Sequence, residues 1–145
     1  MDDRYEGLKL DNQLCFPLYA AAKEVVKKYR PHLDKVGLTY TQYITMMVMW
    51  EHKKINVKDL GAELFLDSGT LTPVLKSLES KGYVTRERSK DDERVLYICI
   101  TLKGEDLKDL LVSIPKAVAG HINLEKDEAL ELYRLLYKIL RTFSE

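Results

Sequence analysis

The sequence predicts a mainly α-helical fold with a small β-hairpin, a winged helix-turn-helix, on three observations. Two short amphipathic units, Val57–Leu64 and residues 68–79, are separated only by Phe65, Leu66 and Asp67, which leaves room for a tight turn. Lys81 and Gly82 then stop the second unit, and two β-rich runs, 83–88 and 94–101, flank a charged tip at 89–93. Long apolar stripes lie on both sides of this block, wider than one small domain needs for its own core. A chain of 145 residues is one domain, with a winged helix-turn-helix lobe at 39–101 and dimerisation helices at 1–36 and 102–145.

Composition narrows the function classes. The 23 basic and 23 acidic residues cancel, so no global positive field announces nucleic acid and that reading rests on local charge. The amino terminus is charged, without a secretory pattern, and no run approaches a membrane span, which points to the cytosol and to no membrane partner. Cys15 and Cys99 stand far apart, as reduced thiols would. His32, His52 and His121 lack neighbours at ligand spacing, so neither a metal nor a cofactor is expected.

Along residues 11–30, Leu14, Leu18, Val25 and Tyr29 form one helical stripe and Cys15, Tyr19, Ala22 and Val26 a second. Asp11 or Asn12 is the expected cap, Pro17 fits the first turns, and Pro31 is the expected end. An apolar arc this wide implies burial against a second subunit. Gly37 breaks the chain, and Thr39 with Gln42 carries a capping-box signature for the next helix. Its Ile44, Met46, Met47, Val48, Met49 and Trp50 are core packing rather than a ligand box. Residues 55–57 are expected to add a short strand beside the wing.

The helix opened by Asp67 or Ser68 contains Pro73 and is expected to be locally irregular there. Leu71, Val74, Leu75 and Leu78 pack, while Ser68, Thr70, Thr72 and Lys76 form a polar face suited to a DNA groove, with free N–H groups that suit phosphates. Lys81, Arg86, Arg88, Lys90 and Arg94 line the wing, with Glu87, Asp91, Asp92 and Glu93 among them. Alone, that cluster reads as a solvated hairpin tip; behind a helix pair it reads as a DNA contact. After the wing, Thr101 caps a helix through Leu107, Leu110, Leu111 and Ile114, which Pro115 with Gly120 interrupts or ends. Asn123 is the expected cap of the last helix, whose Leu132, Leu136, Ile139, Leu140 and Phe143 keep a stripe to the chain end. A two-fold dimer through the terminal helices would present two recognition helices to successive major grooves, hence a palindromic site.

Cys15 is the chemically pointed residue. A cysteine on an apolar helical face is commonly an inert small hydrophobe. A helix start favours the thiolate, however, and Tyr19 lies one turn on with Tyr29 and Tyr40 flanking the following bend, so phenols could stabilise the sulfur anion. The same tyrosines also suit ordinary amphipathic packing, and spacing leaves both readings open.

The runs 14–20, 29–31, 38–43, 66–73 and 92–94, with Cys15-Phe16-Pro17, Tyr29-Arg30-Pro31 and Asp92-Glu93-Arg94 among them, together resemble the MarR family of winged-helix regulators. Within it they are most similar to the organic hydroperoxide sensing repressors of the OhrR type. The resemblance implies a homodimeric bacterial repressor, not an enzyme, in which an organic hydroperoxide oxidises Cys15. The pseudo-palindromic operator is then released and peroxide-resistance genes are derepressed. It also implies that Tyr29 and Tyr40 bond to the reactive thiol across the dimer with Tyr19 in support, that the helix from Ser68 reads the major groove, and that Arg94 enters the minor groove. One departure stands out: no cysteine lies in the carboxy-terminal helices, and Cys99 in the wing strand is structural. Cys15 would therefore pair with a low-molecular-weight thiol, cyclise with a backbone nitrogen, or over-oxidise. Phe16, Leu18 and the tyrosines suit an apolar peroxide, while hydrogen peroxide, quinones and hypochlorite stay open. Two other functions compete: a repressor of this fold released by a small aromatic ligand between the lobes, and a thiol peroxidase, which would leave the helix pair and wing unexplained.

Overall fold

Local capping sets the frame of the computed structural model, which describes residues 2–143. Helix α1 spans Cys15–Asp34 and α2 spans Tyr40–His52. The capping box of α2 is present as expected: the Gln42 N–H donates to the Thr39 hydroxyl (3.3 Å) and the Thr39 N–H to the Gln42 side-chain oxygen (3.0 Å). Strand β1 (Lys54–Asn56) is followed by α3 (Val57–Leu64) and α4 (Ser68–Ser80), then by β2 (Val84–Arg88) and β3 (Leu96–Ile100). Four further helices follow: α5 (Leu102–Asp106), α6 (Lys108–Leu111), α7 (Ile114–Ala119) and α8 (Lys126–Arg141).

The fold is mainly helical with a three-stranded antiparallel sheet in the order β1-β3-β2. The third strand lies one residue earlier than expected, because Asn56 caps α3 and Val57 already belongs to that helix. Val84 and Ile98 turn inward from the sheet, whereas Thr85 to Arg88 are exposed, so the hairpin projects beyond the helices as a wing. The core gathers Met46 and Met49 of α2, Leu60 of α3, Leu71, Leu75 and Leu78 of α4, and Leu107, Leu111, Ile114 and Val118 of α5 to α7 and their links. Burial of a large aliphatic side chain is worth about 1.5–3 kcal/mol, so this shared core is what fixes the α3–α4 pair against α2.

Several local expectations need correction. Pro31 does not end α1. It sits inside the helix, which runs on to Asp34, and the chain then turns away at Gly37, whose φ of +69° suits a residue without Cβ while the Leu38 N–H returns to the Leu33 carbonyl (3.1 Å). Burial of Leu33 holds that last turn in place, which outweighs the one backbone bond a proline removes. Asp11 and Asn12 do not cap α1 either. They lie in a separate 3-10 turn, where the Asn12 amide donates to the Glu6 carbonyl (2.7 Å), and α1 begins at Cys15 with no side-chain cap. Pro73 lies within an α4 that runs unbroken to Ser80, so no irregularity separates its two halves. The helix expected through Ile114 is divided at Leu107 into α5 and α6, whereas Pro115, in the first turn of α7 where its missing N–H is not needed, and Gly120, which caps the end of α7, interrupt and end it as expected. Glu125, not Asn123, caps α8, in a reciprocal box with Glu128.

The terminal helices keep their apolar faces outside this core. α8 contributes no buried residue, and Leu130, Leu132, Tyr133, Leu135, Tyr137 and Ile139 are all exposed. α1 buries only Leu33 and exposes Phe16, Leu18, Tyr19 and Val26, with Leu14 exposed just before it. No helix among the described residues is long and apolar enough to cross a membrane.

Candidate DNA interface and thiol site

The polar face of α4 follows from its cap and its buried stripe. Asp67 accepts from the Thr70 N–H (2.7 Å), and that bond above all holds its carboxyl below the usual carboxylate range. With Leu71, Leu75 and Leu78 turned into the core, Ser68, Thr70, Thr72 and Lys76 are left on the exposed face. The Thr72 hydroxyl donates back to the Ser68 carbonyl (2.7 Å) and the Thr70 side chain bonds to the Asp67 carboxylate, so both threonines are tied to their own helix, while Ser68 and Lys76 lie exposed beside them. Behind this face the Gln42 amide donates to the Ser77 hydroxyl (2.8 Å), a half-buried bond that pins α4 to α2.

The wing cations fall into distinct settings. Arg86 is turned back toward α4, where its guanidinium meets Glu79 at 3.0 and 3.1 Å. Arg88 donates to the Glu93 carbonyl (3.3 Å) and so braces the hairpin. Lys90 is exposed at the tip. Arg94 is held by Asp92 in a two-pronged pair at 3.0 and 3.1 Å, while its side chain stays 90% exposed. The Arg94 side chain, with its N–H, in turn holds the Asp92 carboxyl below the usual range. A planar guanidinium fixed in orientation yet open to solvent can enter a groove with little further ordering. The Glu79 and Asp92 contacts depend on strand register and hairpin geometry; of the two, only Asp92 had a sequence signal, its place two residues before Arg94.

Cys15 is exposed at the first turn of α1 with Phe16 beside it, also exposed. Tyr19, one turn on, has the Lys23 ammonium over its ring at 5.6 Å to the centroid. Tyr29 and Tyr40 instead form a cluster at the opposite end of the helix, their ring centroids 4.9 Å apart. Fourteen residues separate Cys15 from Tyr29 on one helix, which is about 21 Å of axial rise. The structure thus brings the two phenols together but does not bring this chain's own Cys15 to them. Sequence proximity to a bend had placed all four residues in one neighbourhood, and the continuous α1 separates them. Tyr43 of α2, which no sequence motif singles out, completes the cluster, 5.7 Å from Tyr29 and 6.2 Å from Tyr40. Burial raises all three phenols above their ordinary value, with mutual charge adding at Tyr40 and Tyr43, and Tyr43 is pushed up to about 12. The cluster can donate protons in hydrogen bonds but cannot act as a base near neutral pH.

Residues 22–111 match the family described as transcriptional regulator SarA/Rot. The whole chain is 43% identical, over 145 residues and 99% of the relative's length, to the organic hydroperoxide resistance transcriptional regulator of Bacillus subtilis. It is 51% identical over 127 residues to the HTH-type transcriptional regulator SarZ of Staphylococcus saprophyticus, covering 88% of this chain and 87% of that one. Among solved structures, reduced AbfR bound to DNA superposes with a TM-score of 0.79 at 33% identity, over 98% of this chain and 99% of that one. The disulfide form of AbfR, a protein of Staphylococcus epidermidis, superposes with a TM-score of 0.67 at 31% identity, over 98% and 97% of the two chains.

Proposed function

The chain belongs to the SarA/Rot family of transcriptional regulators, winged-helix proteins of the MarR type, and on that premise we propose that it is a homodimeric cytoplasmic repressor released by organic hydroperoxide. It is a redox-sensing, DNA-binding transcriptional regulator and not an enzyme. Residues 39–101 form the DNA-binding lobe, and residues 1–36 and 102–145 form the dimerisation arms. The carrying observation is the placement of Cys15 and the Tyr29–Tyr40 pair at opposite ends of α1, with an exposed apolar face between them. A second copy laid antiparallel along that face sets Cys15 of the partner subunit at this chain's phenols, and the two-fold repeats the site.

There, Tyr29 and Tyr40 donate to the thiolate, and Tyr19, Phe16 and Leu18 shape an apolar entrance. Sulfur attacks the peroxide O–O bond, takes one oxygen to become a sulfenic acid, and the remaining alkoxide leaves as the alcohol after protonation. A low-molecular-weight thiol then condenses with the sulfenic acid, forming a mixed disulfide and releasing water. Either change enlarges a group inside the interface, which shifts α1 and alters the spacing of the two α4 helices on a pseudo-palindromic operator.

A mobility-shift titration on the protein's own promoter DNA, reduced and then treated with cumene hydroperoxide, tests this. Wild type is expected to bind, then dissociate with an oxygen or mixed-disulfide mass gain on Cys15, while Cys15→Ser stays bound. Release of the Cys15→Ser variant by peroxide would end the thiol-switch reading. One structural feature favours a second reading, a small aromatic ligand: a cleft of ≈ 770 Å³ between the end of α8 and the α3–α4 elbow, lined by Val57, Phe65, Leu66, Leu71, Leu140 and Phe143. Binding that ignores peroxide but yields to such a ligand would select it.

The wing supplies a separate prediction. Arg94→Ala is expected to weaken operator binding about tenfold or more and to lower the salt dependence by about one counterion, with the dimer intact. Affinity measured across a salt series checks both, and an unchanged salt slope would remove Arg94 from the contact surface.

A further inference from the structure

The phenol cluster has a buried member that the sensor chemistry leaves unused. Tyr43 is 1% exposed, and its hydroxyl oxygen has no hydrogen-bond partner among the described residues. An orphaned hydroxyl in a core carries a desolvation cost that a phenylalanine of the same shape would avoid, so the oxygen points to a partner acquired in another arrangement. Every close aromatic neighbour of this ring is a phenol: Tyr29 at 5.7 Å and Tyr40 at 6.2 Å between centroids, both half-buried at the edge of the core. The set is therefore graded, with two phenols at the surface and a third directly behind them. The charge of Tyr29, and then of Tyr40, bears on Tyr43, which places the ionisable oxygens within reach of one another's field.

We propose that Tyr43 is a positioning residue of the thiol sensor, its O–H donating to the oxygen of Tyr29 or Tyr40 when Cys15 of the partner subunit docks against them. This rests on the cross-subunit reading above. A phenol that donates its only proton to a thiolate still has lone pairs to satisfy, and accepting a bond from behind strengthens the bond it donates. Tyr43 thus fixes the rotation of the outer hydroxyls so that their protons face the sulfur, and it stabilises the anion without touching it. The orphan in the single chain is the cost of keeping that donor ready.

The test uses the full-length dimer with Tyr43→Phe, Tyr29→Phe and Tyr40→Phe compared with wild type. Two quantities are read: the rate constant for Cys15 oxidation by cumene hydroperoxide and the pH profile of Cys15 alkylation by iodoacetamide. Tyr43→Phe is expected to slow oxidation about three- to tenfold, the weight of one neutral hydrogen bond, and to move the alkylation profile to higher pH. Its far-UV circular dichroism and dimer mass are expected to match wild type, with Tm lowered by no more than the loss of one such bond allows, which separates the effect from loss of structure. If Tyr29→Phe or Tyr40→Phe changes both quantities and Tyr43→Phe changes neither, the role of Tyr43 is overturned while the sensor reading stands. If none of the three variants changes either quantity, the cross-subunit sensor fails and the role of Tyr43 fails with it.

Discussion

Leu132→Glu combined with Ile139→Glu is expected to convert the protein to a monomer and to weaken operator binding by at least about a hundredfold, because joining two recognition helices raises affinity by that order through effective concentration alone. The two positions are one heptad apart on α8 and both are exposed in the single chain. Apolar exposure continues over Leu135 of the same helix and Phe143 just past its end, and over Leu14 just before α1 with Leu18 and Val26 on it, the kind of exposure that marks an interaction surface. A carboxylate forced into such a contact without a partner costs several kcal/mol, and a two-fold interface doubles the penalty. No residue of α8 belongs to the core, so unfolding of the DNA-binding lobe does not account for the loss: Leu60, Leu71, Leu78 and Ile98 are untouched. Sedimentation and far-UV circular dichroism on the same sample check the two halves of the claim. A variant that remains dimeric would place the interface on another face.

What could be read from the sequence was what short-range physics decides. Thr39 with Gln42, Asp67 before α4 and Thr101 before α5 each place a side-chain oxygen within three residues of the N–H it accepts from, so a four-residue window contains the whole interaction. The helix-turn-helix and the wing followed in the same way, from stripes, a short turn and a charged tip. The misreadings arose where packing overrules a local rule. Pro31 is a helix breaker in isolation, yet Leu33 buried two residues later draws the chain through it. Asn123 is a better cap than glutamate by propensity, but the reciprocal Glu125–Glu128 box satisfies two backbone groups together. The separation of Cys15 from Tyr29 was recoverable from helix rise alone once α1 was taken as continuous. The pairing of Arg86 with Glu79 was not recoverable, since it depends on how the sheet twists against α4. Nor was the orphaned hydroxyl of Tyr43, which exists only because three rings from two helices meet.

Gly104→Ala is expected to lower stability by about 3 kcal/mol, at the upper end of what overpacking costs in a filled core, and so to lower Tm by roughly 10 °C. A Cβ built there would lie 2.3 Å from the Tyr83 carbonyl oxygen, 2.8 Å from Ile100 Cγ1 and 3.3 Å from Met46 Cε. None of the nearer atoms can yield cheaply. The Tyr83 carbonyl already accepts from the Thr101 N–H (3.1 Å), the Gly104 N–H donates to the Thr101 hydroxyl (3.0 Å), and the Trp50 indole N–H donates to the Gly104 carbonyl (2.9 Å). The strand that ends the wing, the first turn of α5 and the last turns of α2 therefore meet at this one residue. Gly120→Ala is the matched control, because its backbone φ is −64° and its nearest neighbour, the Ala117 carbonyl, is at an ordinary 3.5 Å; its Tm should be unchanged or slightly raised. Thermal unfolding followed at 222 nm by circular dichroism on both variants makes the comparison. The junction is one of the links between the helices after the wing and the DNA-binding lobe, so at temperatures where Gly104→Ala remains folded its operator affinity should fall as well. If Tm holds while affinity falls, the start of α5 can slide on the wing without breaking the core. If both hold, the contact at Gly104 is not the route by which movement of α1 and α8 reaches α4.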